Sequence, residues 1–167
     1  LGASYVGGID VAVGGSHSYI GRTSSPYYAL ATKTLNTWAV SAPLTGGDPA
    51  GTVNSVRINK DATKVGMAVN VTPYVYFATL TGGGSGGSKD TVPGTIPGGA
   101  GNDICFSPDG YAAVAHTGGN FLTAWYIAGP YTNIALTGGN PSGNGSGCAW
   151  SPDSRYLCVL HITAPYY

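Results

Sequence analysis

Short apolar runs, each interrupted by a tight turn signal, alternate along most of the chain. The clearest examples read ICFSPDGYAAVAHT over residues 104–117 and CAWSPDSRYLCVLHIT over residues 148–163. In both, β-forming residues flank a Ser-Pro-Asp break, where proline presets φ for a turn and aspartate can bond to nearby backbone. The flanking runs are too short for convincing helices. Each stretch therefore predicts a β-hairpin.

The pattern recurs upstream in weaker form, at intervals of roughly 45 residues. One apolar residue ends the first run of each copy: Val13, Ile58, Phe106 and Trp150. We expect these side chains to be buried and to face the neighbouring repeat. An aspartate follows at a shared spot in three copies: Asp61, Asp109 and Asp153. Their recurrence indicates turn residues rather than a pair of catalytic carboxylates.

Each repeat continues with a third run, which reads SPYYALA, TPYVYFA, GNFLTAWYI or, at the end of the sequence, APYY. A fourth run follows in two repeats, as LNTWAVSA and YTNIALTG. Four short strands in about 45 residues are typical of a β-propeller blade. The sequence therefore predicts an all-β fold with a single domain over residues 1–167. Its complete repeats would cover 1–43, 44–95 and 96–135, and an incomplete one 136–167.

A propeller blade leaves both faces of its sheet apolar, so it must pack between neighbours, and a ring needs about four blades or more. We therefore expect these blades to be part of a larger or shared ring. The missing strands would come from chain beyond Tyr167 or from another copy. Two such chains would supply about seven blades, a common ring size.

The charge and hydrophobic content of the sequence limit the kinds of molecule that it is expected to bind. Charged residues make up 8% of the 167 residues, with 7 basic and 7 acidic groups and a net charge of +0. Since phosphate binding needs several basic side chains on one face, nucleic acid is not an expected partner. No apolar run reaches the roughly 18–20 residues of a membrane span. The 43% of hydrophobic residues and the 12 tyrosines favour a packed β protein.

A glycine-rich stretch contains two motifs that formally suggest chemistry. Gly82, Gly84 and Gly87 have the spacing of a dinucleotide fingerprint, and residues 83–87 match a nucleophile elbow. Both motifs need a helix directly after the glycines. The prolines and glycines in residues 93–98 prevent one. We therefore expect an exposed loop over residues 82–101 that binds no nucleotide, with no cofactor and no catalytic residue assigned.

Two histidines, His116 and His161, fall at matching places in their repeats, where the other copies have Arg22 and Val69. Unlike residues at one repeat position make poor metal geometry, so we expect structural histidines and no metal site. The cysteines have no metal-binding spacing, and we expect buried free thiols, with one unassigned disulfide as the alternative. They are Cys105, Cys148 and Cys158.

Two further residue sets are candidates for surface roles. Tyr27, Tyr74 and Tyr166 open third strands and could stack on sugars, although packing between blades is the commoner use of such aromatics. Asn70 and Asn144 begin Asn-X-Ser/Thr triplets and are candidate glycosylation sites.

The segments FSPDGYAAVAHTGGNFLTAWYI (106–127) and WSPDSRYLCVLHITAPYY (150–167) resemble the WD-repeat-like propellers of tailed bacteriophages and prophages. The Gly-His and Trp-Asp dipeptides of eukaryotic WD repeats are missing. The resemblance implies a non-enzymatic structural or attachment module of a virion or another extracellular assembly, without a cofactor. Its partners would be protein subunits or further blades. A carbohydrate-binding propeller, with glycan partners, is one alternative. A lactonase-type propeller hydrolase, with carboxylates around its channel, is another.

Overall fold

The computed structural model describes residues 6–11, 16–41, 44–92 and 94–164. Their regular structure is all β apart from one 3-10 turn at Gly82–Gly84. The strands form four sheets, which we call blades 1 to 4 in chain order. Blade 1 contains β1 (Val6–Val11), β2 (His17–Arg22), β3 (Tyr28–Thr34) and β4 (Thr37–Ser41).

Blades 2 to 4 repeat this antiparallel meander. Blade 2 contains β5 (Leu44–Thr45), β6 (Val53–Ile58), β7 (Lys64–Val69), β8 (Val75–Thr81) and β9 (Gly86–Lys89). Blade 3 contains β10 (Gly101–Phe106), β11 (Tyr111–His116), β12 (Leu122–Tyr126) and β13 (Thr132–Asn133). The described part of blade 4 contains β14 (Gly145–Trp150) and β15 (Leu157–His161).

The expectation of a loop over residues 82–101 is wrong in part. Gly86–Lys89 forms β9, the fourth strand of blade 2, which pairs antiparallel with β8 and parallel with β5. Its sequence, GGSK, has no strand signal, because glycine and lysine are depleted in strands. The pairing with two neighbouring strands overrides that weak local preference.

The register identifies the equivalent residues of the four blades. Each first strand has a β-bulge near its start, at Val6/Gly8, Val53/Ser55, Gly101/Asp103 and Gly145/Gly147. Counted from the bulge, the last paired residues of the four first strands are Val11, Ile58, Phe106 and Trp150. The residue of blade 1 that matches Ile58 is therefore Val11, and Val13 lies outside the described residues.

The apolar core consists of three clusters, one between each pair of successive blades. Ile58, Phe106 and Trp150 each pack against a different one of these clusters. They are only partly buried, in contrast to our expectation, because each ends its strand beside an exposed turn. A fully buried aromatic contact joins Phe77 of blade 2 to Trp125 of blade 3, edge to face, with centroids 5.7 Å apart.

The four first strands lie side by side and contact one another in order. In blades 2 and 3, an asparagine in the bulge connects the first strand to the first strand of the next blade. Asn54 donates to the carbonyl of Gly101 at 2.8 Å, and Asn102 donates to that of Gly145 at 2.7 Å. The approach is close, and a Cβ at Gly101 would lie 2.5 Å from the carbonyl oxygen of Tyr74. Glycine therefore sets the spacing between these blades.

We expect Gly101→Ala to lower the free energy of unfolding by about 1–3 kcal/mol, because its methyl group would press on backbone that cannot yield. Gly138→Ala is the matched control, since a Cβ there meets no atom within 4 Å. Urea denaturation followed by tryptophan fluorescence measures both variants. Equal stabilities for the two would contradict the close approach between blades 2 and 3.

Candidate functional site

The turns between the first and second strands lie at one end of the blades, and we call them the turn rim (residues 58–64, 106–111 and 150–157). A polar residue directly after the first strand organises each turn. The Ser107 hydroxyl accepts from the Tyr111 N–H at 3.0 Å, and that of Ser151 accepts from the Tyr156 N–H at 2.9 Å. Asn59 accepts from the Lys64 N–H at 2.8 Å in the same way. The serine of each Ser-Pro-Asp sequence thus stabilises the turn through its hydroxyl group.

The three aspartates of the turn rim, Asp61, Asp109 and Asp153, are exposed. The Asp153 carboxylate accepts from the Ser151 hydroxyl at 2.6 Å and from the Arg155 N–H at 3.2 Å. These hydrogen bonds hold the pKa of Asp153 below its ordinary value. The backbone N–H of Asp109 donates to the Ser154 hydroxyl at 3.1 Å, which joins the turns of blades 3 and 4.

A groove of about 390 Å³ separates the turns of blades 2 and 3. Lys60, Asp61, Asp109 and Gly110 are among its lining residues. Charges of both signs therefore meet at an exposed concave surface. Such a surface suits contact with a polar macromolecule, because complementary charge steers association.

The carboxylates of the first strands have structural partners in the neighbouring blades. Asp103 accepts from the Ser55 hydroxyl at 2.6 Å and from the Cys148 N–H at 3.1 Å, and Arg57 lies 3.7 Å from it. Asp10 accepts from the Ile58 N–H at 2.7 Å. The sequence places both aspartates inside strand runs, and a polar residue in an apolar run was the signal that could have identified them.

A partly buried polar cluster, which the sequence analysis missed, connects blades 2 and 3. Asp90 accepts from Thr79 at 2.6 Å, from Tyr131 at 2.6 Å and from the Lys64 ammonium at 2.9 Å. Burial on its own raises the pKa of Asp90, but these hydrogen bonds and the charge of Lys64 outweigh it, so the net pKa is lowered. Burial and the bond to Asp90 raise the pKa of Tyr131.

The histidines occupy equivalent positions, since His116 pairs with Gly101 and His161 with Gly145. Both are buried, and His116 bonds through Nε2 to the Thr123 hydroxyl at 2.9 Å. Burial lowers the pKa of His116. Within the described ranges, no group of three His, Cys, Asp or Glu side chains is placed to hold a metal ion.

The cysteines are free thiols with different environments. Cys105 is buried, Cys148 is partly buried and Cys158 is exposed, so the expectation of buried thiols is wrong for Cys158. A hydrogen bond with Cys105 and burial raise the pKa of Cys148. Cys158 is exposed because no described element covers that face of β15.

The candidate surface residues have mixed environments. Tyr27 and Tyr74 are partly buried at equivalent positions, and their carbonyls accept from the N–H groups of Arg22 and Val69. Tyr27 also packs against the core cluster between blades 1 and 2. Tyr166 lies outside the described residues. Of the two glycosylation candidates, Asn70 is exposed and Asn144 is partly buried.

A larger open groove, of about 760 Å³, lies between blades 3 and 4. Leu122, Leu136, Trp150, Leu157 and Val159 give it apolar walls. In blades 1 to 3 a third strand pairs with the second, whereas β15 has no such partner among the described residues. The groove therefore lies where the described part of blade 4 has two strands. No helix in the described parts of the chain is long and apolar enough to cross a membrane.

No protein-family model and no curated protein matches this sequence. Solved structures do resemble it, among them the Swd1 β-propeller domain of Myceliophteria thermophila, with a TM-score of 0.71 and 12% identity. A putative 6-phosphogluconolactonase of Bacteroides uniformis matches with a TM-score of 0.76 and 10% identity. Hydrazine synthase of Kuenenia stuttgartiensis matches with a TM-score of 0.66 and 15% identity. The matches cover 95%, 95% and 93% of this chain, but 51%, 48% and 43% of those chains.

At these identities the likeness shows the fold alone. The all-β expectation is confirmed, and the chain consists of β-propeller blades. It spans about half the length of the propeller structures that it resembles.

We expect Asp90→Asn to lower the free energy of unfolding at pH 7 by about 1–3 kcal/mol, because it weakens a largely buried hydrogen-bonded charge. The folded-state pKa of Asp90 is lowered, so its contribution is full above the unfolded pKa of about 3.9 and is lost as pH falls through the folded value. The stability difference from the wild type should therefore shrink in acid. Denaturation curves between pH 7 and pH 2, with exposed Asp61→Asn as control, measure it. A pH-independent difference would contradict the assignment.

Proposed function

We propose that this chain is a non-enzymatic structural or attachment module of a virion or another extracellular assembly. The observation that carries the proposal is the distribution of charged groups. The partly buried carboxylates of Asp10, Asp90 and Asp103 bind groups of neighbouring strands or blades. Lys60, Asp61 and Asp109, in contrast, are exposed around the 390 Å³ groove of the turn rim. The partly buried charges thus stabilise the blades, and the exposed charges of the rim can meet a partner.

The sequence resemblance to phage propellers supports the virion setting. The propeller fold is compatible with this role, because rigid blades hold their turns in fixed positions while the turns vary in sequence. The expected partners are other protein subunits and a polar target surface, with an extracellular location.

A lactonase-type hydrolase is the second candidate, and the likeness of this fold to a protein named as a putative 6-phosphogluconolactonase favours it. Such an enzyme would need a carboxylate available above the first strands. Asp103 is the best placed, yet Ser55 and Cys148 already bind its two oxygens, which favours the structural role.

Attachment can be measured as binding of the fluorescently labelled protein to a panel of intact bacterial cells. We expect Asp61→Lys to reduce binding about tenfold, because it reverses a charge at the rim groove. Asp48→Lys makes the same change at an exposed residue in the linker before β6, at the other end of the blades, and should bind like the wild type. Equal effects of the two changes would indicate non-specific charge rather than a rim site.

The alternatives have distinct results in parallel assays. Glycan-array binding that is lost in Tyr74→Ala and retained in Asp61→Lys would favour the carbohydrate-binding propeller. Lactone hydrolysis that is lost in Asp103→Asn, with folding intact by circular dichroism, would overturn the non-enzymatic assignment.

A further inference from the structure

Two cysteines lie at facing positions of the contact between blades 3 and 4. Cys105 belongs to β10 and Cys148 to β14, and both pack in the core cluster between these blades. In the contact between blades 2 and 3, the register places Arg57 and Ile104 at the corresponding positions. Packing of successive first strands therefore does not itself require thiols at these positions.

Hydrogen bonds to blade 3 hold Cys148 beside Cys105. The Cys148 N–H donates to the Asp103 carboxylate at 3.1 Å, and Asp103 lies two residues before Cys105 on the same face of β10. Cys148 Sγ donates to the carbonyl oxygen of Ala113 at 3.5 Å, and Ala113 is the cross-strand partner of Cys105. The two thiols also share a hydrogen bond. Contacts on both strands β10 and β11 therefore place the Cys148 sulfur next to that of Cys105.

The thiol pair lines a groove. Cys105 is buried and Cys148 is partly buried, so another protein chain cannot reach both sulfurs easily. A groove of about 480 Å³ extends along the first strands of blades 2, 3 and 4, and both cysteines are among its lining residues. This groove gives a small oxidant a route to the pair.

We infer that Cys105 and Cys148 form a disulfide between blades 3 and 4 when the chain is oxidised, and that the structure shows the reduced form. Ser107 and Ser151, which organise the turns of these blades, follow the two cysteines closely in sequence. The disulfide would therefore fix the turns of blades 3 and 4 relative to each other. The inference does not depend on what the turn rim binds.

Glutathione disulfide is a suitable oxidant. One cysteine thiolate attacks a sulfur of glutathione disulfide and displaces a glutathione thiolate, and the second cysteine thiolate then displaces the other glutathione from the mixed disulfide. The two cysteines lose two electrons and two protons, and glutathione disulfide is reduced to two glutathione thiols. The hydrogen bond with Cys105, burial and the nearby Asp103 carboxylate raise the pKa of Cys148. The reaction should therefore be faster in alkaline buffer, because the thiolate is the nucleophile.

Peptide mapping tests the pairing. The parent protein is Cys158→Ser, which removes the exposed thiol that would compete for the oxidant. The folded protein is incubated with glutathione disulfide at about pH 8.5 and digested with a protease that cleaves before aspartate. Such cleavage places Cys105 in a peptide of residues 103–108 and Cys148 in a peptide of residues 109–152. We expect mass spectrometry to find these two peptides joined, lighter than their sum by two hydrogen atoms, and separated by a reductant.

Two controls separate the folded geometry from random oxidation. Cys105→Ala and Cys148→Ala in the same parent should keep the circular dichroism of the parent and give no joined peptides. The same oxidation in concentrated urea should lower the ratio of joined peptides to glutathione adducts about tenfold, because an unfolded chain brings the two thiols together only by closing a long loop.

Urea denaturation of the parent tests whether the disulfide fits the fold. The oxidised form should unfold at a higher urea concentration than the reduced form, because the link restricts the unfolded chain. Oxidant should not raise the midpoint of Cys105→Ala. Thiols that stay free or carry only glutathione, an equal yield of joined peptides in urea, or an oxidised form that unfolds at lower urea concentration would overturn the inference. A crosslinked chain that binds no cells would overturn the proposed attachment alone.

Discussion

A propeller blade cannot bury its own two faces, and the rest of this structure depends on that constraint. Blade 2 shows it most clearly, because Met67 and Tyr76 face blade 1 while Ala68 and Phe77 face blade 3. All four are almost completely buried. At about 25 cal/mol per Å² of apolar surface, burial of this kind is the main term that stabilises the fold. Packing between successive blades therefore stabilises the fold more than any single side chain does.

Close packing of the first strands determines where the polar residues lie. Gly101 and Gly145 leave no room for a Cβ against the preceding blade, and the adjacent bulge residue Asn102 uses its amide to join the two strands. Carboxylates also connect the blades, since Asp103 accepts hydrogen bonds from the Ser55 hydroxyl of blade 2 and from the Cys148 N–H of blade 4. The few charges of this sequence thus replace strand pairing that the first strands lack on their inner edge.

The sequence alone could predict the strand content, the repeat and the hairpin turns, because these depend on local patterns of β-formers and turn residues. The shift from Val13 to Val11 was not predictable, because the apolar sequence continues past Val11 and so does not mark the last paired residue of the strand. Strand β9 was hidden because its residues disfavour strands and its pairing supplies the stability. The Asp90 cluster brings together residues that are distant in sequence, so only the packing of blades 2 and 3 reveals it.

The surfaces that remain exposed are of two chemical kinds, and their separation has a functional consequence. The ends of the blade row are apolar, as Ile9 and Leu160 show, whereas the turn rim has charges of both signs around a groove. Apolar faces form stable contacts with a surface of matching shape, while exposed charges direct encounter and selectivity. Contacts at the ends of the blade row leave the rim turns uncovered, because those turns lie along the edges of the sheets rather than on their faces. A row of blades can therefore pack through its faces and still present its charged turns, side by side, to a partner.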